Sequence, residues 1–499
     1  MSVWAGIKPQ NVFYFFEEIC KIPHGSGNTG QVSDYLVKFA KKRGLEHYQD
    51  ELGNVIIVKE ASSGYEDHEP VMLQGHMDMV TVKEEDCELD LLQDGLRLLV
   101  EDDSLKAEGT SLGGDDGIAL AYGLALLDGT EYRHPRLELV ITVDEEVGMN
   151  GARALDVSPL KSRRLINLDS EEEGILLAGC AGGVRVNIDL PCQREEAEGI
   201  IYQIRIDGLL GGHSGSEIHT GRGNAICLLG RLLKSLLEKT CFQLVNLTGG
   251  DADNVIPNRA EAELLVTGYK RQGEVRKFRQ DGFSVQECTM ILKHIGDKLR
   301  CELREELAGK DGEASIMILS SQPDKRQVFS ETQTFKTVLL LNSLPYGVQA
   351  MSAAVPGLVE TSLNPGILRS EQDNMQVAVS VRSSLESAKW ALVEQLKSMA
   401  SLTGAETELT GDYPGWVYRE ESPLRKKMVE LFRSMYGRSP QVEAIHAGVE
   451  CGLLVHKMPG LDCVSIGPDI RNIHTTEEEL SISSTARVWE YLVRLLEEL

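Results

Sequence analysis

In the first third of the chain, short apolar runs alternate with helix-length stretches, and no other feature limits the fold as much. The runs are Asn54–Val58, Val71–Gln74, Leu137–Val143 and Arg164–Leu168, each bounded by turn residues. They are too short for helices and too apolar for strands with one face in water, so they read as strands covered on both faces. Helical spacing runs through residues 10–43, broken at His24-Gly25-Ser26-Gly27-Asn28, and again through Ile118–Leu127. Such alternation predicts an α/β fold with a mostly parallel sheet between helical layers.

From about Val184 the texture changes. GVRVNIDLP and IIYQIRIDG alternate like half-exposed strands, followed by a helix pattern over Asn224–Glu238 and a strand at Ala260–Val266. Residues 313–412 loosely repeat this rhythm: ASIMILSS, a helix near Thr332–Ser343, QVAVSVRSS, a helix at Leu385–Ala400, then ETELTGDYP. The reading is an α+β domain of antiparallel strands and helices, with a weak signal of internal duplication. After Trp416 the first texture returns: a helix at Pro423–Tyr436, a short strand before His446, the CVSIG strand and a last helix at Ser484–Leu499. One domain is therefore expected over 1–183 and 413–499, interrupted by an inserted domain over 184–412. At 499 residues, two cores are the natural expectation.

The charge balance narrows the function classes. With 51 Lys plus Arg against 77 Asp plus Glu, the formal net charge is -26, so phosphate backbones and anionic lipid are repelled. Neither nucleic acid nor a membrane is an expected partner. The ten cysteines include no Cys-x-x-Cys pair and are too sparse for a disulfide scaffold. MSVWAGIKPQNVFYFFEEICKIPHG lacks the order of a secretory leader, and no run approaches the ~18 apolar residues of a spanning helix. A reduced, cytoplasmic protein is expected.

Five segments place acids and histidines at the carboxyl ends of predicted strands or in adjoining loops, where open α/β sheets bind ligands. In LQGHMDMV, His76 and Asp78 share one side of an extended chain, and a carboxylate beside a metal-binding histidine fixes its tautomer. A histidine salt-bridged at a strand end is the alternative. In GTSLGGDDGIALA, Asp115 and Asp116 follow a Gly pair; either could reach inward or simply cap the helix. In VDEEVGMNGA, Glu145 and Glu146 repel each other unless a cation sits there, although a solvated strand end also tolerates them. Asp169 of INLDSEE and His474 of RNIHTTEEEL complete the set.

Together the five segments supply nitrogen and oxygen donors suited to zinc, without thiolates. Two zincs ~3.5–4 Å apart need a carboxylate between them and about two further ligands each. The count is met if one Asp bridges, leaving Asp78 and Glu145 for orienting and base roles.

GHMD, GTSLGGDDG, DEEVGMNGA, NLDSEE and NIHTTEE, in this order, resemble the co-catalytic zinc metallopeptidases, which include carboxypeptidases and aminoacylases. LQGHMDMV, GTSLGGDDGIALA, GGHSGSEIHTGRGNA and HAGVECG resemble the aminoacyl-histidine dipeptidase branch. The resemblance runs from about His76 through His474. It implies a zinc-peptidase-like catalytic domain with an inserted lid or dimerisation-type domain. It further implies two Zn2+ ions, with Co2+ or Mn2+ as substitutes: His76 and Asp169 on one, Glu146 and His474 on the other, and Asp115 on both, with Asp116 no ligand.

Asp78 would orient His76, and Glu145 would act as general base. In the lid, His213 would reach the substrate carbonyl oxygen while Asn254 and Arg382 grip its carboxylate. The implied reaction is hydrolysis of Xaa-His and other dipeptides by a metal-activated water, and the implied assembly is a homodimer. Two rivals stand beside this reading: an aminoacylase or deacetylase of the same superfamily, and an inactive homologue that only binds.

Overall fold

The computed structural model describes residues 7–280, 282–311 and 313–499. The first six residues of the run inspected for a leader lie outside them. The chain forms two compact units: one built from the residues up to Cys180 with Trp416–Ala444 and Val449–Leu499, the other from Ala181–Gly415 with Ile445–Gly448. Among the described residues no helix is long and apolar enough to cross a membrane.

The first unit is organised by an eight-stranded sheet in the order Glu46–Gln49, Val55–Lys59, Leu137–Thr142, Val71–His76, Arg164–Asn167, Asp462–Ser465, Ile175–Cys180, Gln441–Ile445. Only the central four strands are mutually parallel. The strands paired at either side run antiparallel, so the mostly parallel expectation holds at the centre and the whole sheet is mixed. Every residue of Val71–His76 and of Leu137–Thr142 is buried, which is why these strands read as mainly apolar runs without alternation.

The helix Gly114–Asp128 is apolar all round and buried from Asp116 to Leu127. It lies close on the sheet: a Cβ at Gly123 would come 2.5 Å from Leu139 Cδ1, and one at Gly75 would come 2.4 Å from Ala119 Cβ. A small sheet of Ile470–Arg471, Glu479–Ser481, Ser104–Ala107 and Leu98–Glu101 was not anticipated, because its strands are only two to four residues long.

The second unit carries a ten-stranded sheet whose pairs are antiparallel. Alternation sorts its faces: Ile200, Tyr202, Ile204 and Ile206 join the core under the helices, whereas Gln203 and Arg205 point away. Four of its strands escaped the sequence reading, among them the short Glu274–Lys277 and Gly347–Met351. Thr240–Gly249 begins directly at the end of the helix Ala225–Lys239, and Val359–Ser370 hides Pro365 and Gly366 at a register shift between Pro365 and Ile367. The helix Val285–Glu306 also went unassigned, although Cys288, Leu292, Leu299 and Leu303 mark its buried stripe.

In the first unit the fully buried Glu138 holds the chain entering the strand Arg164–Asn167. It accepts from Arg136 Nε (3.1 Å), from Lys161 N with both oxygens (3.0 Å each) and from Ser162 N (3.0 Å). Glu138→Leu orphans these donors and should cost about 3 kcal/mol, lowering the unit's thermal midpoint by several degrees. A midpoint within about 1 °C of wild type would contradict this account.

Candidate metal centre

Parallel pairing brings the predicted residues to one edge. His76 is in register with Thr142, and Gln74 with Asn167, so three neighbouring strands end together. His76 closes the first, Glu145 and Glu146 follow the second, and Asp169 follows the third. The start of the helix Gly114–Asp128 contributes Asp115 and Asp116, and a loop after Arg471 contributes His474.

Asp115 stands at the middle of this group. Its Oδ1 lies 3.0 Å from His76 Nε2 and its Oδ2 lies 3.2 Å from His474 Nε2. His76 Nε2 is also 3.4 Å from Asp169 Oδ1, and His474 Nε2 is 2.9 Å from Glu146 Oε1. Three overlapping clusters, His76–Asp116–Asp169, His76–Glu145–Glu146 and Asp115–Glu146–His474, each keep their donor atoms within 4.8 Å of one another. All donors are nitrogen or oxygen, and one carboxylate turns a different oxygen to each imidazole. That donor set fits two cations sharing a ligand.

Asp116 lies within reach of His76 and Asp169, but its Oδ2 accepts from the main-chain N–H of His76 at 3.2 Å. Neither aspartate caps its helix. Both depart from helical backbone angles, and the N–H groups at the helix start are taken by the buried carboxylate of Glu478. The side chain of Asp115 is thereby left for the imidazoles.

Asp78 differs in detail from its expected part. The nearest partner of His76 Nδ1 is the main-chain carbonyl of Asp78 at 2.9 Å, with carboxylate Oδ1 at 3.5 Å. The Asp78 carboxylate accepts instead from Glu145 N (3.0 Å), Glu146 N (3.3 Å) and Ser26 Oγ (2.9 Å). It orients the His76 ring partly through its own backbone, and it fixes the loop bearing Glu145 and Glu146.

Six acids crowd two imidazoles here, and the proton equilibria record it. Hydrogen bonds to Asp115 and Glu146 push His474 up to about 10. Burial pulls His76 down, but Asp169, Asp115 and Asp78 outweigh it and hold the ring well above its ordinary value. Burial would raise Asp115, yet the two histidines keep it below the usual carboxylate range. Burial lifts Asp169 to about 6 and Glu145 well above its ordinary value. A cation is what such an excess of buried negative charge calls for.

The sequence reading passed over several groups near this edge. Glu450, inside HAGVECG, is fully buried and accepts from Gln74 Nε2 and Thr142 Oγ1, each at 2.5 Å, and burial raises it to about 7. Glu171 is raised to about 7 by burial and by Asp115 and Asp169. Glu478 lies in the acidic run that follows His474 and was not singled out. Only the tertiary fold reveals these roles.

His213, Asn254 and Arg382 belong to the second unit. His213 Nδ1 accepts from Ser216 N at 3.0 Å, and the next residue, Ser214, donates its N–H to Asn254 O at 2.8 Å. Arg382 Nη1 donates to Tyr413 OH at 3.0 Å. Burial, then the charge of Arg382, lowers the pKa of His213. The same two causes bring the buried His446 down to about 3, its Nε2 lying 2.7 Å from Ser362 Oγ. His446 was not singled out from sequence, although HAGVECG contains it.

Comparison with known proteins identifies the family. The chain is 36% identical to the cytosol non-specific dipeptidase of Escherichia coli K12 over 502 aligned positions, covering 100% of this chain and 99% of that one. The crystal structure of aminoacylhistidine dipeptidase from Vibrio alginolyticus superposes with a TM-score of 0.89 at 34% identity, over 100% of this chain and 98% of that one. The aminopeptidase PepT from Bacillus cereus, at 17% identity and a TM-score of 0.56 over 99% of both chains, shares the fold. Residues 72–498 match the profile of peptidase family M20/M25/M40. The chain is a member of that family.

Proposed function

We propose that the protein is a two-zinc dipeptidase that hydrolyses the peptide bond of Xaa-His and other dipeptides. One observation carries the reading: a single carboxylate, Asp115, faces two imidazoles with separate oxygens, in a chain alike over its full length to two dipeptidases. His76 and Asp169 would hold one ion, Glu146 and His474 the other, and Asp115 both. Co2+ or Mn2+ would suit the same donors. When bound, the pair supplies Lewis acidity that brings the pKa of a water towards ~7 and polarises the peptide carbonyl.

Glu145 takes the proton of the attacking water and passes it to the leaving amine. Burial raises its carboxyl, which suits a group that must hold a proton between two steps. Asp78 keeps Glu145 in place through its main-chain N–H. In the second unit, His213 is assigned to the carbonyl oxygen and Asn254 with Arg382 to the substrate carboxylate, the guanidinium steadied by Tyr413. Residues 184–412 are read as a lid or dimerisation-type insertion, and the protein as a cytoplasmic homodimer.

The direct test assays zinc-depleted and zinc-restored protein on a dipeptide panel and on N-acetyl amino acids. Dipeptide turnover should return with zinc. Faster turnover of the acetyl compounds would make it an aminoacylase, and no turnover in fully loaded protein would make it a binding homologue. Glu145→Gln should keep both metals while kcat falls by roughly 10²–10⁴-fold; wild-type turnover would refute the base assignment. Arg382→Met should raise KM for a dipeptide but not for its C-terminal amide. Equal effects on both would remove the carboxylate grip.

Metal binding should also release protons. His474, raised to about 10 in the metal-free protein, is charged at neutral pH and must become neutral to ligate. Zinc binding at pH 7 should therefore free about one proton from this residue, and apparent affinity should weaken as pH falls. Calorimetry in two buffers of different ionisation enthalpy counts the protons. Zero release would contradict the ligand role of His474.

A further inference from the structure

Two loops that carry proposed metal ligands meet at one buried side chain. The Glu478 carboxylate accepts four consecutive main-chain N–H groups: Leu112 (3.0 Å) and Gly113 (3.2 Å) on Oε2, Gly114 (2.8 Å) and Asp115 (3.4 Å) on Oε1. Only 2% of the residue is exposed. Successive N–H groups at a helix start form a concave anion site, here filled by the protein's own carboxylate. The two glycines serve this turn differently, one by its left-handed backbone and the other by leaving space beside the carboxylate. Gly113 has φ +67°, and a Cβ on Gly114 would sit 3.3 Å from Glu478 Oε1.

The other side of Glu478 leads to His474 through a closed turn. Glu478 N donates to Thr475 O (3.3 Å), Thr475 Oγ1 donates to Asn472 O (2.7 Å) and accepts from Glu477 N (3.1 Å). His474 stands in this turn with φ +61°. Beyond Glu478, Leu480 and Ser481 pair with Leu105 and Ser104 in the small sheet, which ties down the chain leaving the turn.

We infer that Glu478 is a positioning residue of the metal centre: it sets where Asp115 and His474 stand relative to each other by clamping the backbone of both loops. The inference rests on the metal assignment proposed above. Its chemistry requires a full carboxylate. A glutamine would turn an NH2 donor towards main-chain donors and lose one acceptor, and an aspartate is one methylene too short to serve all four N–H groups. Outer-sphere partners of this kind are worth roughly 10–100-fold in metal affinity.

The test is a zinc titration of chelator-stripped full-length protein, wild type, Glu478→Gln and Glu478→Asp, with a thermal melt of each metal-free form. Wild type should bind two zincs. Glu478→Gln should remain folded, keep one tight zinc and bind the other roughly 10–100-fold more weakly, with kcat reduced and KM little changed. Two zincs bound by a folded Glu478→Gln as tightly as by wild type would overturn the inference while leaving the metal assignment intact. If neither variant folds, Glu478 is a helix cap alone and the inference also falls. Wild type binding fewer than two zincs would instead defeat the metal assignment itself.

Discussion

The carboxylate of Asp115, shared between His76 and His474, is the contact around which the first unit is arranged. It requires a strand end, a helix start and a loop more than 350 residues further along the chain to meet within hydrogen-bond reach, and |i−j| for the Asp115–His474 pair is 359. Parallel pairing of the central strands supplies the meeting place, because it points successive carboxyl ends to one edge. Acids gathered there cost free energy until cations balance them, so the fold stores negative charge that a metal pair relieves.

The loops at that edge are not held by packing alone. Asp78 takes the N–H groups of Glu145 and Glu146, and Glu478 those of residues 112–115. Bonds from N–H to an ionised carboxylate are about twice as strong as neutral ones, and buried ones escape screening by salt. Acidic residues thus do two jobs here. Some present oxygen to the centre, and others fix the backbone from which the first group projects.

Much of this was legible in the sequence. The doubly buried strands announced themselves as apolar runs, and the switch to alternating strands near residue 184 marked a second texture. The nitrogen and oxygen donors were visible as short motifs at strand ends, and the structure brings His76, Asp115, Glu146, Asp169 and His474 together. What escaped detection depended on tertiary context. Glu478 and Glu450 look like ordinary acids until burial shows their partners, and nothing local shows that the Asp78 carboxylate faces the N–H groups of the Glu145–Glu146 loop more closely than the His76 ring. The strand Val359–Ser370 was masked by Pro365 and Gly366, which the sheet absorbs as an irregularity rather than an end.

The central claim is spatial, that one aspartate carboxylate lies between two metal ions. Anomalous diffraction at the zinc absorption edge from zinc-loaded crystals addresses it directly. The account predicts two peaks ~3.5–4 Å apart with a different Asp115 oxygen on each, His76 and Asp169 on one ion and Glu146 and His474 on the other. A single peak, or two peaks with Asp115 touching neither or only one, would contradict it.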